Sequence, residues 1–363
     1  MDKKKKIIII ITILIIVITT IITAMIISHK EKLTNINQTT NLTITNDNTN
    51  NTSENNVETM WQDSIGLLNN NISIPERYKT EIKNYMTTMF DAIPEVNNNN
   101  FQKNLKNLKI EVLNDTDFEE KYGYFDSSEY DRNSNTIYVL SGSDIGTSLV
   151  LLSTNGINNF RDSNDGIFLE KGLSNILYTE IVYSKSFYNS SANSYTEKNI
   201  MLSDASILIM ELTDLTDATA LLFNSNVSDI KEKMKLYLTD KEITTLFSNM
   251  DKYSEYTDSY ETTTNLNCKT TSINLLIDKI LDKIEQNFNI DNISSTYIEY
   301  KRIEDIVNNE TSSLDIRNHY EKVGQASLQK FEKFLTTNGT NYESVKDINY
   351  GYDRFYFFSD TGY

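Results

Sequence analysis

The sequence predicts an α+β protein that is predominantly α-helical, with a small N-terminal sheet and one N-terminal transmembrane helix. Three observations lead there. Residues 7–27 are an uncharged apolar run directly behind four lysines. Residues 108–140 contain two short stretches with the two-residue alternation of strands. From residue 144 onward, apolar residues recur at helical spacing in one segment after another.

The run Ile7–Ile27 has 21 residues. At about 1.5 Å per residue it spans roughly the 30 Å hydrocarbon core of a bilayer. Lys3, Lys4, Lys5 and Lys6 precede it, while Lys30 and Lys32 follow. The larger cluster places the amino end in the cytoplasm and the rest outside. A cleaved signal peptide is the rival reading. Its apolar part is usually about 7–15 residues and ends in an A-x-A site, which is absent here. The expected organisation is a cytoplasmic tail (1–6), an anchor (7–27), an Asn/Thr-rich linker (28–56) and an outer domain (57–363), with 254–270 the one place where that domain could divide. The linker has too few apolar groups to offset the entropy of ordering it.

Lysine and arginine total 34 against 51 aspartates and glutamates, a net charge of −17. Residues 33–363 hold 28 bases and 49 acids. Nucleic-acid binding needs clustered Lys and Arg, so no nucleic-acid partner is expected. Cys268 is the single cysteine, which excludes an internal disulfide and a cysteine-based zinc site. The wealth of Asn, Ile, Thr, Tyr and Lys reads, by association, as the bias expected of an AT-rich, bacterial genome.

In the outer domain, Tyr78, Ile82, Tyr85, Met86, Met89 and Phe90 share one side of a predicted helix behind Pro75. Leu108, Ile110 and Val112 alternate as a strand, and the turn at 133–135 leads into a second strand, 136–140. A helix is predicted over 144–160. The next carries Leu169, Leu173, Ile176, Leu177 and Ile181 on one face. Another holds Met201, Ala205, Leu208, Ile209 and Leu212. Shorter helices follow over 217–224, 228–238 and 241–250, then a polar loop over 254–268. Ile273, Leu276, Ile277, Ile280, Leu281, Ile284 and Phe288 mark the clearest amphipathic helix, and 327–337 adds one more.

Common catalytic patterns are weak. Ser228–Lys231 and Ser327–Lys330 match S-x-x-K without a K-T-G partner. Asp126, Glu129 and Asp131 cluster near a strand, but in so acidic a chain a solvated turn accounts for them. Asp162–Gly166 lacks the spacing and distal glutamate of a calcium loop and reads as a turn and helix cap. Nothing in the sequence orients Cys268 or His319. The tail of Tyr350, Tyr352, Phe355, Tyr356, Phe357 and Phe358 reads as packing.

Strand, strand, long helix, and a second helix containing Glu170-Lys171-Gly172-Leu173-Ser174, followed by Met210–Phe223, form an order of elements. Over about residues 105–250 it resembles the catalytic region of the gluzincins, the thermolysin-like zinc peptidases. The resemblance implies a zincin-like helical lobe after the sheet. In that family the first helix carries H-E-x-x-H and the second a glutamate before Gly-Leu. Here the first helix reads Leu151-Leu152-Ser153-Thr154-Asn155-Gly156, and Lys171 precedes Gly172. The resemblance therefore implies a peptidase shell without zinc, other cofactor or catalytic residue. Leu152, Asn155, Glu170 and Lys171 would line the former cleft. The expected role is non-catalytic: anchored in the cell membrane, the domain binds a peptide, a cell-wall component or an envelope protein. The alternatives are a carboxylate-dependent hydrolase using Asp126, Glu129 and Glu170, or a purely structural envelope component.

Overall fold

A computed structural model describes residues 52–92, 99–123, 127–156, 165–184, 197–256, 262–308 and 312–346. The predicted anchor and linker, Asp126, and the aromatic residues 350–358 lie outside the described residues, as do the side chains of Phe90 and Ile181. Among the described residues no helix is long and apolar enough to cross a membrane. Residues 56–363 group as one compact unit. The described part is mostly helical with one small sheet, as the periodicities predict.

Three helices, α1 (Thr52–Asn70), α2 (Glu76–Ala92) and α3 (Asn99–Asn107), precede the sheet. The sheet comprises β1 (Lys109–Leu113), β2 (Ser128–Asp131) and β3 (Thr136–Leu140), in the order β1-β3-β2. β1 runs parallel to β3, with Ile110 opposite Ile137. β2 runs antiparallel to β3, with Tyr130 opposite Ile137. The parallel pair needs a crossover, and α4 (Asp115–Tyr122) with β2 supplies it. β2 is a strand the sequence did not reveal, because its four residues are polar. Only Ser128 and Tyr130 turn inward. The turn from β2 to β3 is closed by the Asp131 carboxylate, which accepts from Asn133 N at 2.9 Å and from the Ser134 hydroxyl at 2.7 Å.

Of the helix expected over 144–160, the described residues 144–156 are helical only in α5 (Ser148–Thr154). It starts late because Ile145 N donates to the Glu81 carboxylate at 2.6 Å, which holds the preceding loop. It stops early because Asn155 turns extended, and Asn104 Nδ2 takes the carbonyls of Leu152 (3.2 Å) and Asn155 (2.8 Å). Side chains of α3 thus satisfy the helix end from outside.

Two helices pass through the core: α6 (Ile167–Ser184) and α7 (Glu197–Thr213). Every residue of α7 from Met201 to Thr213 is buried. A helix apolar on nearly all sides belongs inside a protein. α6 is capped across the fold, since Asp251 accepts from Gly166 N (2.7 Å) and Phe168 N (2.9 Å). Residues 162–164 of the expected turn lie outside the described residues, and the carboxylate that caps α6 is not in that segment but belongs to Asp251, 85 residues along the chain from Gly166.

α8 (Ala218–Asn224), α9 (Val227–Met234) and α10 (Asp240–Ser254) surround this pair. α8 is capped by Asp217, and α10 opens on a capping box between Thr239 and Glu242. α11 (Thr263–Gln286) begins ten residues before its apolar stripe, which starts at Ile273. Part of the loop expected over 254–268 is therefore helical. The Thr262 hydroxyl, accepting from Asn265 N at 3.2 Å, starts that polar first stretch. A 3₁₀ turn (Ile290–Asn292), α12 (Ile293–Val307), α13 (Leu314–Thr337) and α14 (Tyr342–Lys346) complete the described chain.

Candidate functional site

The sequence-predicted site residues lie where the β2–β3 turn, the end of α5 and the start of α6 meet. Arg132, in that turn, carries the arrangement. Its Nη2 donates to the Thr154 hydroxyl at 3.0 Å and forms an ion pair with Glu170 Oε1. Glu170 has no exposed surface, and the Arg132 side chain is 11% exposed. A guanidinium cannot be deprotonated in a protein. The buried carboxylate therefore faces a permanent cation.

One residue further along α6, Lys171 points elsewhere. Its Nζ lies 3.2 Å from Glu129 Oε1 on β2. Neighbours on a helix differ by about 100° in direction, so the two residues meet different partners. Two charged links therefore bind α6 to the edge strand and its turn.

Asn155 belongs to a third group. Its Nδ2 donates to the Tyr130 hydroxyl at 2.7 Å, and that hydroxyl donates to Asn135 Oδ1 at 2.7 Å. Asn135 Nδ2 donates to Asn104 O at 2.8 Å, and Asn104 in turn holds the end of α5. Burial pushes the Tyr130 hydroxyl up to about 12, so it remains a neutral donor.

Leu152 requires a correction. Its side chain is wholly buried in the core, and only its backbone carbonyl joins the network. Glu170 is equally inaccessible. Neither can line an open cleft, because α5 and α6 pack these faces against the sheet and the core. Asn155 and Lys171 remain partly exposed. The sequence also missed Arg132, Tyr130 and Asn104. Tyr130 had a weak signal, an inward aromatic two residues from Ser128, but an arginine in a turn is ordinarily solvated.

These residues do not fit zinc. Three ligands of suitable type are needed, and no group of three His, Cys, Asp or Glu able to hold a metal occurs among the described residues. Glu129 and Glu170, the described members of the carboxylate alternative, each face a cation. Of the other motifs, the Ser327 hydroxyl is 2.7 Å from the Tyr300 hydroxyl, and Lys330 pairs with Glu285 at 2.7 Å. Ser228 bonds to Asn226, and Lys231 pairs with Asp165. His319 Nε2 is 2.7 Å from Asp278 Oδ1.

Two carboxyls away from this site are strongly perturbed. Burial, reinforced by Asp144, lifts Glu81 to about 7. Burial, reinforced by Glu211, lifts Glu299 to about 7 within a cluster that includes Lys283, Arg302 and Asp214. Both retain protons when folded that they release near 4.5 when unfolded. Their stabilisation is complete below about 4.5 and is lost as pH rises through about 7. The unfolding free energy is expected to fall between pH 5 and 8 by an amount on the order of 3 kcal/mol for both groups after allowing for partial exposure, seen as a falling thermal midpoint. Glu81→Gln with Glu299→Gln removes most of that slope.

Compared with known protein families, curated proteins and solved structures, the chain matches none.

Proposed function

We propose that the protein is a membrane-anchored, extracytoplasmic, non-catalytic domain that binds an extended peptide segment of an envelope partner. The observation that carries this reading is the ion pair of Arg132 with Glu170. It places a fixed cation against Glu170, the carboxylate one position before Lys171, which stands where the resemblance to the gluzincins would put the zinc-binding glutamate. The shell of a peptidase site then persists with its charges satisfied internally.

The partly exposed residues of this region are Glu129 and Asp131 on β2, with Lys171 beside them. β2 is an edge of the sheet. An edge strand presents backbone donors and acceptors to which an extended peptide can add. Lys171, held by Glu129, would steer the partner by charge. Anchoring by residues 7–27 and spacing by 28–56 would hold this edge away from the membrane.

Capture of extended peptides displayed on an array by the full-length chain tests the reading. Lys171→Glu sets two carboxylates side by side at β2 and is expected to abolish capture. Capture that is unchanged in this variant counts against the edge as the binding surface.

A further inference from the structure

We propose a second binding site, for a neutral polyhydroxylated chain such as an oligosaccharide, between the end of α10 and the first turn of α11. A depression of about 800 Å³ lies there, and its lining includes Ser248, Asp251, Glu255, Tyr256, Thr264 and Asn265. That volume is within the range of about 300–1,000 Å³ typical of small-molecule sites.

Asn265 points to a ligand. It is 5% exposed, yet its side-chain amide has no hydrogen-bond partner among the described residues. Its backbone N–H is already used by the Thr262 cap. The amide is not sealed in the core but borders the open depression, from which a ligand can reach it. A ligand would supply both the missing donor and the missing acceptor.

The surrounding groups select its chemistry. In the lining the carboxylates of Asp165, Asp251 and Glu255 outnumber the one ammonium, Lys252, which disfavours an anion. Asp251 uses one N–H contact per oxygen to cap α6 and retains further lone pairs on both. The backbone N–H groups of Thr263 and Thr264, in the first turn of a 24-residue helix, have no intrahelical acceptor. They and the helix dipole disfavour a cation. A sugar hydroxyl both donates and accepts, so it satisfies the carboxylates and these N–H groups together. Ser248 and Thr264 add exposed hydroxyls, and Tyr256 adds an apolar wall. The site is separate from the one built around Arg132, and neither reading depends on the other.

Calorimetric titration of the full-length chain with chitotetraose and maltotetraose tests the proposal. At least one is expected to bind saturably, and insoluble chitin added in a parallel arm distinguishes a free oligosaccharide from a polymer. Asn265→Ala is expected to weaken binding about tenfold while leaving the thermal midpoint of the free protein unchanged or higher, because the amide makes no internal bond. Thr264→Ala, on the exposed turn, should weaken it by a smaller factor. The proposal is overturned if neither sugar binds at millimolar concentration, or if binding is the same in both variants. Binding of tetralysine in place of the sugars also overturns it, since the carboxylates would then be reading charge.

Discussion

Gly172→Ala is expected to lower stability by about 3 kcal/mol, more than most single substitutions in this fold. A Cβ at Gly172 would lie 2.1 Å from the Ser206 hydroxyl oxygen and 2.3 Å from the Leu202 carbonyl oxygen. The first is a side-chain atom and could move. The second is backbone in the middle of α7, so relief requires the two core helices to separate. Around the contact, Asn175 Nδ2 donates to the Ser203 hydroxyl at 2.6 Å and to Asn199 O at 3.3 Å, fixing the crossing. Ser206→Gly added to Gly172→Ala should restore only part of the loss, because the Leu202 carbonyl remains. Denaturant midpoints of the three proteins check this. Full recovery in the double variant would mean that the backbones are not in close contact.

Arg132→Ala is the second large effect. It leaves the fully buried Glu170 carboxylate without this cation, and it also removes the bond to Thr154. Breaking a buried pair in this way typically costs about 3–5 kcal/mol. Replacing both partners, Arg132→Met with Glu170→Leu, should recover most of the loss, since an apolar pair of similar volume avoids the stranded charge. Arg132→Lys should fall between them, because it keeps the charge but must place a compact ammonium where Nη2 of the guanidinium serves both Thr154 and Glu170. A double-mutant cycle on thermal midpoints measures the coupling. Additive losses would show that the pair does not hold the turn to α6.

The sequence exposed much of this arrangement and concealed a specific remainder. Ile273 to Ile284 could be read directly, because a single apolar face at helical spacing has one physical explanation. The start of α11 could not, since Thr263–Lys269 has no stripe and begins on a cap hydroxyl instead. β2 was hidden for a similar reason, with only Ser128 and Tyr130 facing inward. α5 was predicted too long because its ends are set by Glu81, Asn100 and Asn104, distant side chains that bond to its flanking backbone. Gly172 was legible as a glycine out of place in a helix, and its close contact with α7 supplies the reason. Arg132 was not legible, since nothing local distinguishes a turn arginine in water from one aimed at a buried carboxylate.

With Arg132 as its cation, Glu170 is not expected to bind zinc. Metal content of the full-length chain, expressed with added zinc and purified without chelators, tests it most directly. Far less than one zinc per chain is expected, with no change in Glu170→Gln. One tightly held zinc per chain, lost in Glu170→Gln, would contradict it.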